Sequence, residues 1–118
     1  MDSKDKVVDW LGSTLEDLRA LPLDVRHGLG YKLYAVQQGD RPQNVKTYSG
    51  SIQELRENDD QNKTYRLVYV AAFEEAIYVL HVFNKKSTQG IATSKQDQEL
   101  IKARFKEAER KHRERKKP

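Results

Sequence analysis

The sequence predicts a single α+β domain, an N-terminal helical hairpin packed on a small antiparallel β-sheet and followed by a C-terminal helix. Three observations carry that expectation. Apolar residues fall at helical spacing before residue 40 and again after Ser94, they alternate along strand-like stretches between residues 51 and 83, and 118 residues suffice for one core without covalent staples.

The first helix is expected in "STLEDLRAL", where Ser13 or Thr14 serves as N-cap, Glu16 and Asp17 occupy the first turn, and Leu15, Leu18 and Leu21 share a face. Pro22 ends it and opens a second, "PLDVRHGLGYKLYAVQQGD", with Leu23, Val25, Leu29, Leu33 and Val36 at three- and four-residue steps and Gly39 as the stop. Gly28 and Gly30 each weaken this helix by about 1 kcal/mol relative to alanine, unless they mark a close packing contact. The turn-rich "DRPQNVKTYSG" reads as a loop with at most a short strand. Three antiparallel strands follow in "SIQELRE", "TYRLVYVAAF" and "AIYVLHVF", the first two separated by the polar turn "NDDQNK". The closing helix starts at Ser94 and places Leu100, Ile101, Phe105 and Ala108 at helical spacing. Beyond Ala108 the stripe stops, so residues 110–118 are expected to form a frayed basic tail.

Composition excludes several functions. There is no cysteine, hence no disulfide, thiolate nucleophile or thiolate zinc site, and His27, His81 and His112 lack metal-ligand spacing. No cofactor is expected. No stretch approaches the roughly 20 apolar residues of a membrane span, and no secretory signal is read, so a cytoplasmic protein without membrane partners is expected. The net charge is +4, and residues 95–118 hold 10 Lys and Arg against 5 Asp and Glu. That asymmetry suits an anionic partner, although cations near a helix C-terminus also complement its dipole.

Alternation assigns the strand side chains to faces. Leu55, Leu67 and Leu80 are expected on a face covered by the helices. Glu54, Arg56, Arg66, His81 and Lys85 then fall on the opposite, open face, with Lys86 at its rim. This is the geometry of a phosphate-backbone site. It is also ordinary solvation of an open sheet face, and a Glu54–Arg66 pair is ordinary cross-strand stabilisation. Both readings stand on the residues alone. Tyr31, Tyr34 and Tyr48 are assigned to packing.

The ordered set "ELR", "YRLVY" and "VLHVFNKKSTQGIATSKQDQELIKAR" resembles the phage-associated branch of the RelE/HigB-like toxins of bacterial type II toxin–antitoxin systems. The upstream "DWLGSTLEDLRALPLDVRHGLGYKLYAVQQG" is similar to that family's helical hairpin, so the resemblance spans nearly the whole chain. The chain departs from it at Ser94, where a proline is common. The resemblance implies a RelE-like fold and a metal-independent endoribonuclease that cleaves mRNA, often on the ribosome, and so arrests translation and growth. It implies Arg66, Lys85 and Lys86 around the scissile phosphate, with Glu54 or His81 taking the 2′ proton, and Arg56, Lys102, Arg110 and Lys111 holding RNA. The expected partners are mRNA, the ribosome and a cognate antitoxin of helix-turn-helix type. Two other readings remain open, a ParE-type inhibitor of DNA gyrase and a non-enzymatic nucleic-acid or partner-binding domain.

Overall fold

Apolar side chains that alternate along a strand supply cover for one face of a sheet, and long apolar runs supply cover for two. Strands "TYRLVYV" and "AIYVLHVFNK" are of the second kind. In the computed structural model, which describes residues 6–42, 45–73, 75–85 and 93–115 and only the backbone of Lys85, helices lie on both faces of a single sheet.

The order of elements is β1 (Val7–Trp10), α1 (Thr14–Arg19), α2 (Leu23–Gln37), β2 (Lys46–Ser49), β3 (Ile52–Asn58), β4 (Thr64–Val70), β5 (Ala76–Lys85) and α3 (Lys95–Arg115). The five strands order as β1-β5-β4-β3-β2, with β1 parallel to β5 and the other neighbours antiparallel. The expected meander is β3, β4 and β5, and the short strand in the loop is β2. The sequence reading contained no β1, because four residues are too few to display a period.

On one face, Leu18 of α1 and Val25, Leu29, Leu33 and Val36 of α2 pack against Leu55, Leu67, Ile77, Val79 and Val82. Leu67 is wholly buried, and such burial contributes about 1.5–3 kcal/mol. Gly28 marks the close contact anticipated for it, since an added Cβ would fall on the Glu57 side chain, which in turn pairs with Lys32 at 3.5 Å. Tyr31 and Tyr34 do not pack as expected. They are 76% and 54% exposed, on the outer side of α2.

On the other face, Ile101 and Ala108 of α3 cover Ile52, Val68, Val70, Tyr78 and Leu80. This corrects the expectation of an open face. It also corrects the side assigned to Leu80, and a β-bulge is the reason. Val68 pairs with His81 but Tyr69 pairs with Val79, so β5 carries an extra residue at Leu80. Leu80 and His81 both turn toward α3, while Val79 and Val82 stay on the α2 side. Arg104 of α3 donates to the Leu80 carbonyl at 2.9 Å, satisfying an acceptor at the bulge.

α3 continues beyond Ala108 through Arg115 instead of fraying at residue 110. Lys111 and Arg115 reach Asp9 of β1 at 3.2 and 3.3 Å, and the His112 ring stacks on Phe73. These contacts with β1 and the start of β5 hold a segment that lacks an apolar stripe. Residues 116–118 of the expected tail lie outside the described residues.

Candidate functional site

Residues paired across neighbouring strands share a face, so the register lays out the α3 side of the sheet in rows. One row runs Lys46, Glu54, Val68, His81 across β2, β3, β4 and β5. The next runs Arg56, Arg66, Phe83, and a third places the backbone of Lys85 opposite Thr64. Strands are about 4.8 Å apart, which puts Glu54 and His81 about 10 Å apart between backbones, with Arg66 one row away from both.

Arg56 and Arg66 are directly opposite one another, an arrangement that repels unless an anion intervenes. Glu54 is that anion. Its Oε2 accepts from Arg66 Nη1 at 2.7 Å and its Oε1 faces Arg56 Nε at 3.5 Å. Glu54 and Arg66 are only 4% and 8% exposed, whereas Arg56 reaches solvent. Arg66 was expected to be an exposed arginine; it is buried beside Glu54. Its Nε has no partner among the described residues, so the guanidinium keeps unused donor capacity beside the carboxylate.

His81 is 8% exposed and sandwiched between two contacts. Its ring stacks on Phe83 with centroids 4.6 Å apart, and its Nε2 meets Asp97 Oδ1 at 2.7 Å. Asp97 belongs to the first turn of α3, where its backbone N–H donates to Ser94 Oγ, the N-cap bond, while its Oδ2 accepts from that hydroxyl. Burial pushes the Asp97 carboxyl upward, but the hydrogen bonds from His81 and Ser94 outweigh it and hold the group below its ordinary value. Beside an ionised Asp97, whenever the His81 ring carries a single proton that proton sits on Nε2. Nδ1 is then the ring's acceptor, buried and unpartnered among the described residues. Tyr48 of β2 stands within the field of both carboxylates. Burial first, then Glu54 and Asp97, raise its phenol above the ordinary value and keep it neutral.

The arrangement thus sets a guanidinium whose Nε is unpartnered among the described residues one row from an imidazole held by a carboxylate. Such a pair can hold an anion and move a proton at the same centre.

Of the residues singled out in the sequence, Glu54, Arg56, Arg66 and His81 come together on this face. Lys102 lies on the solvent side of α3 beside Tyr48. Lys86 lies outside the described residues, and of Lys85 only the strand position is given. Arg110 and Lys111 are elsewhere, about 20 Å from Asp97 along α3, and are engaged with Glu114 and Asp9. The sequence reading missed Asp97 and Tyr48. "SKQD" did carry the capping signature of Ser94 and Asp97, but nothing in it points to His81, which is distant in sequence.

Among the described residues no group of side chains could hold a metal ion, and no helix is long and apolar enough to cross a membrane.

Residues 16–106 match the family described as phage derived protein Gp49-like. No curated protein matches the chain. Two solved structures are similar: a double-arginine variant of the E. coli toxin RelE in the free state, 20% identical with a TM-score of 0.60 over 85% of this chain and 97% of that one, and the isolated E. coli RelE toxin, 23% identical with a TM-score of 0.54 over 83% and 97%. The fold of this chain is therefore RelE-like.

Proposed function

The chain belongs to the Gp49-like family of phage-derived proteins, and on that premise we propose that it is the toxin of a type II toxin–antitoxin pair, an endoribonuclease that cleaves mRNA on the ribosome and stops translation. The likeness of its fold to RelE toxins supports the reading. The observation that carries it is the buried Glu54–Arg66 pair one row from the His81–Asp97 pair.

In this reading the ribose 2′-hydroxyl attacks the adjacent phosphate. His81 takes the 2′ proton, and Asp97, bonded at Nε2, stabilises the imidazolium that forms. The geometry favours His81 over Glu54 as base, because the Glu54 oxygens are committed to Arg56 and Arg66. Glu54 instead positions the two guanidiniums, which stabilise the negative charge growing on the phosphorane. Lys85 and Lys86 supply further positive charge and protonate the leaving 5′-oxygen. The products are a 2′,3′-cyclic phosphate and a 5′-hydroxyl end. A cognate antitoxin would restrain the activity.

The test is a defined mRNA in a purified translation reaction, with new 5′ ends mapped by primer extension and DNA gyrase supercoiling assayed beside it. New ends bearing 5′-hydroxyls, weakened by about 10²-fold or more in His81→Ala, are expected. Intact mRNA together with blocked supercoiling would replace this reading by gyrase inhibition.

A further inference from the structure

A cleft of about 440 Å³ opens between the β2–β3 turn and α3. Tyr48, Ile52, Ile101 and Phe105 line it, with Lys102 among the lining residues on the solvent-exposed side of α3. Tyr48 and Phe105 are half-buried, packed at one edge against the apolar cluster under α3. The cleft borders the candidate site, since Gln98, which follows Asp97 in α3, is among its lining residues and Tyr48 lies within the field of Glu54 and Asp97, while Lys102 is about 7–8 Å along the helix from Asp97. Two aromatic side chains, an apolar floor and a cation thus stand at the border of the candidate site.

We propose that this cleft is a nucleobase subsite: a base flanking the scissile phosphate stacks against Tyr48 and Phe105, and Lys102 contacts a neighbouring phosphate. The proposal rests on the ribonuclease reading of the adjoining site and adds the element that positions the strand. Single-stranded RNA is held in this way, by unstacked bases on aromatic rings and by cations along the backbone. The charge at the cleft favours that occupant over an apolar peptide side chain, since Lys102 is the one charged residue among its described lining residues and suits a polyanion.

The test uses a short single-stranded RNA with one 2′-deoxynucleotide that blocks cleavage, in which each flanking base in turn is replaced by an abasic site. Wild-type protein is expected to lose about tenfold in affinity for the abasic RNA at one flanking position and little at the other. That penalty should vanish in Tyr48→Leu and Phe105→Leu, which keep apolar volume without a ring, and persist in Tyr48→Phe. Cleavage of the all-ribose RNA in a translation reaction is read in parallel. Cleavage with equal affinity for intact and abasic RNA at both positions overturns the subsite and leaves the ribonuclease reading intact. A base penalty without cleavage supports the subsite and removes the ribonuclease reading. No penalty and no cleavage overturn both.

Discussion

The two faces of the sheet are built from the same strands and carry opposite kinds of interior. Under α1 and α2 the buried side chains are aliphatic or aromatic apart from Thr14, and the strand positions there alternate except at the β5 bulge. Under α3 the apolar cluster shares its face with Glu54, Arg66 and His81, each less than a tenth exposed. Burying charge stabilises a fold little, because desolvation offsets most of the attraction within the pair. The α3 face is therefore where stability has been given up to keep charged groups in place, and the difference points to that face as the working one.

Substitutions at paired positions can break or sharpen this contrast. The largest effect is expected from Arg66→Ala, which strands the Glu54 carboxylate with only its longer contact to Arg56 and should cost about 3–5 kcal/mol, read as a lower denaturant midpoint. Leu67→Ala on the opposite face should cost about 2–5 kcal/mol. The faces separate when the polar pair is replaced as a unit. Glu54→Leu with Arg66→Met should recover most or all of the stability lost in Arg66→Ala, whereas no second truncation on the α2 face should rescue Leu67→Ala. A double variant as unstable as Arg66→Ala would mean that the charged pair itself stabilises the fold.

The contrast was only partly legible in the sequence. Period-two alternation correctly put Leu55 and Leu67 on one face and Glu54, Arg56 and Arg66 on the other. In β5 it placed His81 on that second face too but failed at Leu80, because "IYVLHVF" is apolar at nearly every position and hides the extra residue that turns Leu80 the same way as His81. The helix after Ser94 was legible from its stripe, but a stripe does not say which face of a sheet it will cover, and so Arg66 was read as exposed. Asp97 was readable as a capping residue alone. Its second role depends on the placement of α3 over His81, which is a tertiary fact.

A smaller effect is expected where α3 begins. Asp97→Asn removes the charge that holds His81 and should cost about 1 kcal/mol at neutral pH. The Asp97 carboxyl is depressed in the folded protein, so its contribution is fully present above the ordinary value of 3.8 and is lost as pH falls through the lower folded value. Melting curves of wild type and Asp97→Asn should therefore converge in acid and stay parallel above that point. At the far end of α3, Lys111→Ala loosens a half-exposed pair with Asp9 and should change stability by no more than about 1 kcal/mol. It should leave RNA cleavage at the wild-type rate, since the site lies at the other end of the helix.

The most direct test of the central claim is the single-turnover rate of mRNA cleavage by the Glu54→Leu, Arg66→Met double variant, measured on protein whose melting temperature is taken from the same preparation. The buried pair is held to serve chemistry and not stability, so cleavage should fall by about 10²-fold or more while the melting temperature matches or exceeds that of wild type. Cleavage at the wild-type rate in a stably folded double variant would contradict the account and remove the α3 face from the active site.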